Sequence, residues 1–112
     1  MVDRTLVEEI NLLHARICQS LADPTRILIL YALAESPRRV NELVEMLGAN
    51  QPTVSRHLKV LRDQGLVTPT REGAAVCYAL YDRRVIQALD LMRALMADIL
   101  AQQAQLAGAL AQ

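Results

Sequence analysis

The first 35 residues place apolar side chains at helical spacing, and they predict two helices. The first helix carries an apolar residue every three or four positions: Leu6, Ile10, Leu13 and Ile17. We expect this helix to begin after Asp3 and to end near Leu21. Asp23 followed by Pro24 predicts the start of the second helix, because aspartate accepts from free N–H groups and proline suits the first helical position. The second helix then runs to about Glu35.

The next thirty residues predict a pair of short helices. We expect residues 38–40 to be extended and Asn41 to cap a third helix, which Gly48 closes. Asn50 is the expected cap of a fourth helix over residues 51–64. The inner face of the fourth helix is expected to consist of Val54, Leu58 and Leu61. Two helices joined by a turn that contains glycine are typical of a helix-turn-helix.

Two extended runs and a long final helix complete the pattern. Leu66 to Thr70 and Ala74 to Tyr81 are separated by Arg71-Glu72-Gly73, which predicts a β-hairpin with glycine in its turn. Asp82 is the expected cap of the last helix. Its apolar positions alternate at spacings of four and three, broken by Gln103: Val85, Leu89, Met92, Met96, Ile99, Leu106 and Leu110. The 28 residues from Arg83 to Leu110 would form a rod of about 42 Å, so we expect a second chain to cover it.

These elements predict a mainly α fold with a small β-hairpin, in the order of a winged helix-turn-helix. The order is helix, helix, short strand, two helices, two strands and a final helix. A chain of 112 residues supports one aliphatic core, so we expect a single domain over residues 1–112. The longest apolar run, residues 27–34, is too short to cross a bilayer. Without a basic start ahead of an apolar stretch, we expect a cytoplasmic protein with reduced thiols.

The net charge of zero is unevenly distributed. Residues 51–84 carry six positive and three negative side chains, whereas residues 1–50 carry five positive and seven negative ones. All but one of the positive residues are arginines, whose planar fork suits phosphates and guanine edges. A coding bias toward arginine would give the same composition. The middle third of the chain is nevertheless its basic part.

The outward face of the fourth helix combines polar and basic side chains. In its first turns, short hydrogen-bonding groups are placed where they can read base edges in a major groove. Lys59 and Arg62 are expected nearer the phosphates, and Arg71 at the hairpin tip is expected to enter the flanking minor groove. His57 is expected to contact a phosphate or to pack against a helix. The predicted DNA-binding residues are Gln51, Pro52, Thr53, Ser55, Arg56, His57, Lys59, Arg62 and Arg71. The alternative is an ordinary solvated helix surface.

Several stretches of the chain resemble the ArsR/SmtB family of winged-helix repressors. The residues that carry this resemblance are Leu21 to Ile27, Asn41 to Leu47, Gln51 to Leu58, Leu61, Gly65 to Val67 and Arg71 to Gly73. The resemblance implies a cytosolic homodimer joined through the first and last helices. It also implies that the dimer represses a palindromic operator and releases it when an effector binds, often a metal or metalloid ion.

Two metal sites of that family have no counterpart in this sequence. The arsenic and cadmium sensors carry a Cys-x-Cys pair in the third helix, where this chain has Val44 and Met46. The zinc and nickel sensors place Asp and His ligands on the last helix, but residues 82–112 contain no histidine. Asp90 and Asp98 alone would be weak, hard ligands.

The cysteines Cys18 and Cys77 remain as candidates for an effector site. His14 lies four residues before Cys18, so both can face the same side of the first helix. Three interpretations stay open. The cysteines can be small buried hydrophobes, thiols that respond to an oxidant or to reactive sulfur, or ligands of a soft metal or metalloid ion together with His14. No cofactor is required by any other feature of the sequence.

Other classes of function find little support. The sequence shows no nucleophile with a base and no glycine-rich phosphate loop, so we expect no enzyme activity. Single-stranded nucleic acid would require stacking aromatics, yet the three tyrosines fall at predicted core or strand positions. The remaining alternative is a winged helix that serves only for dimerisation or protein docking, without specific DNA binding.

Overall fold

The computed structural model describes residues 2–111, and in this part of the chain the predicted order of elements is confirmed. The helices are α1 (Arg4–Leu13), α2 (Pro24–Glu35), α3 (Val40–Leu47), α4 (Gln51–Asp63) and α5 (Arg84–Ala111). The strands are β1 (Arg38–Arg39), β2 (Val67–Glu72) and β3 (Ala75–Leu80). The chain divides into two compact units, with the boundary between Asp82 and Arg83.

Three predicted helix starts are confirmed by their capping hydrogen bonds. The carboxylate of Asp3 accepts from the N–H of Thr5 at 3.3 Å, that of Asp23 from Thr25 at 2.8 Å, and the Oδ1 of Asn50 from Thr53 at 2.9 Å. Each bond satisfies one of the N–H groups that a helix start leaves without an intrahelical partner. The caps therefore set where α1, α2 and α4 begin.

The predicted cap of α3 is wrong. The helix begins at Val40, with Arg39 in the N-cap position, so Asn41 lies exposed in the first turn. The carboxylate of Glu42 accepts from the backbone N–H of Arg39 at 3.0 Å, which stabilises this earlier start. At the other end Gly48 adopts a left-handed φ of 64° and closes the helix as predicted.

The first helix changes its winding before it ends. It is α-helical only to Leu13 and continues as a π-helical segment, His14–Cys18. The hydroxyl of Ser20 donates to the carbonyl of Arg16 beside this segment. The expected helix end near Leu21 is close to the observed one, but the wider π turn was not predicted. Such single π turns are frequent at functional sites.

The hairpin extends further than predicted, and it belongs to a three-stranded antiparallel sheet ordered β1-β3-β2. Arg71 and Glu72 were expected in the turn, but they lie in β2, where Arg71 pairs with Val76. The turn consists of Gly73 and Ala74, and Gly73 supplies the positive φ of 63° that a tight turn favours. Residues 38–39 complete the sheet by pairing with β3.

Helices α2, α3 and α4 pack on one another and form the centre of the first unit. Their fully buried apolar side chains are Ile29, Leu30, Leu43, Val54, Leu58 and Leu61. Burial of one such side chain contributes about 1.5–3 kcal/mol. The inner stripe predicted for α4 is thus confirmed, and the packing leaves the opposite side of α4 facing outward.

Helix α5 is 28 residues long and has a different character. Arg83, not Asp82, holds its N-cap position, because the carbonyl of Arg83 accepts from the N–H groups of Ile86 and Gln87. Beyond its first turns the helix exposes large apolar side chains: Leu91, Met92, Leu95, Met96, Ile99, Leu100, Leu106 and Leu110. Among the described residues, no helix combines the length and apolar character that a membrane crossing requires.

Candidate nucleic-acid interface

The outward side of α4 presents polar and basic groups from its first turn onward. Its exposed residues among those predicted to contact DNA are Gln51, Pro52, Ser55, Arg56, Lys59 and Arg62, and Thr53 is half-buried. The Asn50 cap and the proline in the first turn fix the N-terminal end of α4, where this face begins. The positive end of the helix dipole lies at the same end. The N-terminal end of α4 therefore presents hydrogen-bond donors and a positive helix dipole, both of which favour contact with a polyanion.

The basic residues of α4 differ in their partners. Lys59 and Arg62 both contact the carboxylate of Asp63, at 3.1 Å and 3.4 Å. The hydrogen bond from Lys59 is the main cause that lowers the pKa of Asp63. Arg56 forms no ion pair among residues 2–111. The Arg56 guanidinium can therefore contact a ligand without first breaking an ion pair, whereas Lys59 and Arg62 would have to leave Asp63.

The hairpin carries its exposed arginine on β2. Arg71 is exposed and lies two residues before Gly73, so it stands on the strand beside the tip of the hairpin. The neighbouring Glu72 lies 3.8 Å from the Nε of Arg39, which belongs to β1 of the same sheet. A position near the end of an edge strand leaves Arg71 able to reach outward.

His57 faces inward, unlike the other predicted contact residues. Its side chain is 8% exposed and lies between Arg26 and Asp23. The Nη1 of Arg26 is 3.3 Å from its Nδ1, and the Oδ2 of Asp23 is 4.0 Å from its Nε2. Of the two roles expected for His57, this position favours helix packing over contact with a phosphate.

Two arginines outside the predicted set contact α4 from earlier parts of the chain: Arg16 of the π-helical segment and Arg26 of α2. The Nη2 of Arg16 donates to the carbonyl of Gln64, at the C-terminal end of α4, at 3.2 Å. Arg26 reaches His57 in the middle of α4. Arg26 belongs to a stretch that carried the family resemblance, but its partner lies 31 residues away in the sequence. Only the folded chain brings the two residues together.

The cysteines occupy different environments. Cys18 is exposed at the end of the π-helical segment, and Cys77 is half-buried in β3. Burial is the main cause that raises the pKa of the Cys77 thiol, and Glu72 raises it further. Among residues 2–111 no three His, Cys, Asp or Glu side chains converge closely enough to hold a metal ion, so His14, Cys18 and Cys77 form no such site within one chain.

Comparison with known proteins places these features in a family. Residues 23–68 match the family of bacterial regulatory proteins called the arsR family. The HTH-type transcriptional regulator NmtR of Mycobacterium tuberculosis is 46% identical over 72 residues, which are 64% of this chain and 60% of the relative. The chain thus spans less than two thirds of that protein. A protein of Streptomyces lividans, named a probable mercury resistance operon repressor, is 42% identical over 75% of this chain and 67% of its own.

The fold agrees with that comparison. A homodimeric winged helix-turn-helix DNA-binding domain from Mycobacterium bovis is 29% identical, with a TM-score of 0.74 over 89% of this chain and 91% of its own. Because the match covers most of both chains, the likeness does not depend on one motif. The chain belongs to the arsR family of bacterial regulatory proteins.

Proposed function

We propose that the protein is a homodimeric transcriptional repressor that binds double-stranded DNA sequence-specifically in the cytoplasm. The observation that carries this proposal is the polar and basic outward face of α4, which the buried stripe of the same helix holds in place. Family membership supports it, because a regulatory protein of this fold reads DNA with such a helix.

The proposal assigns separate roles to the exposed residues. Gln51, Thr53, Ser55 and Arg56 read base edges, and Pro52 contacts the groove wall beside them. Lys59 and Arg62 contact the phosphates, and in doing so they give up their contacts with the carboxylate of Asp63. Arg71 enters the flanking minor groove from the hairpin. His57 is left out of direct contact because it is buried.

Dimerisation is the second part of the proposal. Within α1, apolar side chains remain exposed at positions 6, 7, 10, 12 and 13, with exposed fractions between 42% and 60%. Within α5, eight further large apolar residues are exposed. Apolar surface of this extent is characteristic of interaction sites. The homodimeric relative from Mycobacterium bovis supports a second copy of this chain as the occupant.

The proposal also includes release of the operator by an effector that acts on cysteine. Exposure favours Cys18 as the reactive thiol, since the raised pKa of Cys77 leaves less of it as thiolate. The effector is an oxidant, reactive sulfur, or a soft metal or metalloid ion. A metal ion would bind Cys18 and His14 with ligands from outside this chain, because residues 2–111 supply no group of three. The mercury repressor among the relatives supports the metal version.

Selection from a pool of random duplexes tests the DNA-binding proposal. We expect the purified chain to enrich a sequence that it binds about a thousandfold more tightly than unrelated DNA. Arg71→Ala is expected to weaken recognition at the flanking positions. A chain that dimerises but enriches no sequence would support the rival function, a docking module without specific DNA binding.

Cysteine alkylation and DNA binding together test the effector. We expect iodoacetamide to modify Cys18 faster than Cys77, and we expect Hg²⁺ or a persulfide donor to lower affinity for the selected duplex. Cys18→Ser should abolish the response, and Cys77→Ser should retain it. If none of these treatments changes the affinity, the sensing proposal is wrong.

A further inference from the structure

We propose that Arg26 is a positioning residue for DNA binding, which fixes α4 to the end of the first helix through a neutral His57. This inference rests on the proposed function, because it assigns to Arg26 and His57 the orientation of the helix that reads DNA. Neither residue touches the nucleic acid in this account. Both act through α4.

The guanidinium of Arg26 joins three parts of the chain. Its Nε donates to the carbonyl of Ser20 at 2.7 Å, and its Nη2 donates to the carbonyl of Gln19 at 3.1 Å. Its Nη1 lies 3.3 Å from the Nδ1 of His57. The carbonyls at a helix C-terminus are those that lack intrahelical donors, and they attract a cation. One planar group therefore closes the first helix and holds α4 beside it.

The chemistry of Arg26 fixes the protonation state of His57. A guanidinium has donors only and stays charged, so Nδ1 of His57 must accept. The imidazole is then neutral, with its proton on Nε2, where the Oδ2 of Asp23 lies 4.0 Å away. A second proton on Nδ1 would point an N–H group at the guanidinium and break the contact.

The charged groups around His57 agree with a neutral ring. Burial is the main cause that lowers the pKa of His57 below its usual value of 6.5. Asp23 raises the pKa, whereas the positive charges of Arg26 and Arg56 lower it. The neutral form is thus favoured in the folded chain, and it is lost only at a pH below the usual value of 6.5.

The position of His57 makes this contact relevant to the outward face. Arg56 precedes it in the same turn of α4, and Lys59 lies about half a turn later. Arg16 of the π-helical segment contacts the C-terminal end of α4 through the carbonyl of Gln64. Arg26 contacts the middle of α4 through His57. Release of the Arg26 contact leaves the Arg16 bond and the buried stripe of α4 in place, so α4 stays packed while the turn around His57 can shift. The predicted loss is therefore in DNA affinity, with the fold retained.

Nitrogen NMR of the imidazole tests the geometry without DNA. In the wild-type chain at about pH 7.5 we expect the spectrum of the Nε2–H tautomer at His57. A proton on Nδ1, or a doubly protonated ring at that pH, would overturn the inference. Because this measurement needs no operator, it separates the inference from the proposed function.

Binding of the selected duplex at several pH values tests the positioning role. In His57→Asn the side-chain amide oxygen would take the place of the accepting Nδ1, so we expect this variant to bind within about threefold of the wild type at about pH 8. The wild type is expected to lose affinity as the pH falls well below 6.5, where the neutral ring is lost, and His57→Asn is expected to lose much less. The variant retains His14, the other histidine, so any pH dependence left in it does not come from His57.

Arg26→Lys completes the test, since it keeps the charge and removes the planar fork. We expect about tenfold weaker binding of the selected duplex, with the circular dichroism and the dimer retained. Equal affinity of Arg26→Lys and the wild type, or equal pH profiles of His57→Asn and the wild type, would overturn the inference. A wild type that selects no duplex would instead refute the proposed function.

Discussion

Helices α4 and α5 present different surfaces, although each has an apolar and a polar component. Helix α4 is 13 residues long, buries four of them and exposes polar and basic side chains. Helix α5 is 28 residues long, buries two and exposes a series of leucines and methionines. The surface of α4 is compatible with water and suited to a polyanion, whereas that of α5 is stabilised only when another apolar surface covers it. The comparison separates the proposed reading surface on α4 from the proposed assembly surface on α5.

A charge on the apolar side of α5 is the change with the largest expected effect. Met96→Glu would place a carboxylate in the proposed dimer contact, where an unpaired charge costs several kcal/mol. We expect the dimer dissociation constant to rise about a hundredfold or more, as measured by analytical ultracentrifugation. Gln105→Glu is the matched control, because it adds the same charge at an exposed position seven residues after Asp98, on the other side of the same helix. If both variants dimerise as the wild type does, α5 is not the assembly surface.

Loss of Arg56 tests the reading surface. Because Arg56 is exposed and has no ion pair among residues 2–111, Arg56→Ala should cost about 1–3 kcal/mol in binding of the selected duplex and relax its specificity. Lys59→Ala should weaken all duplexes alike. Fluorescence anisotropy with selected and scrambled duplexes checks both. A uniform loss for both variants would show that Arg56 contacts only phosphates.

The caps of the helix-turn-helix offer a matched pair for stability. Asn50→Ala removes the bond to the N–H of Thr53 and should lower the free energy of unfolding by about 1 kcal/mol. Asn41→Ala is expected to change it by less than about half of that, because Asn41 is exposed within α3 and does not cap it. Urea unfolding measures both. Equal losses would contradict the assignment of Arg39 as the N-cap of α3.

Neutralisation of Asp63 has the smallest expected effect and the opposite sign. Asp63→Asn frees Lys59 and Arg62 from their shared carboxylate, so we expect affinity for every duplex to rise by a few fold at low salt. The rise should shrink as salt is added, because these contacts are electrostatic. Unchanged affinity in titrations at several salt concentrations would mean that the two cations do not approach the phosphates.

Local sequence signals predicted most of the fold. Asp23-Pro24 and Asn50 mark helix starts through bonds to residues two or three positions away, and those bonds form as expected. The start of α3 was misplaced because its stabilising group is Glu42, which accepts from the Arg39 backbone. The hairpin turn was placed too early because Arg71 and Glu72 are polar but extend β2.

The features that sequence alone did not yield depend on distant partners. The pairing of residues 38–39 with β3 joins positions that are far apart in the chain. The contact of His57 with Arg26 likewise joins residues 31 positions apart. The inward position of His57 itself follows from helical spacing, because His57 lies three residues after Val54 and four before Leu61. Family membership agrees with the expectation of a regulatory protein.

The mass of the complex with the selected duplex tests the central claim most directly, because it involves both surfaces at once. The account predicts two chains on an inverted repeat whose half-sites are centred about 10 base pairs apart, or a multiple of that. Scrambling one half-site should release both chains together. A single chain bound to one unrepeated site, or two chains bound without symmetry in the sequence, would contradict the account.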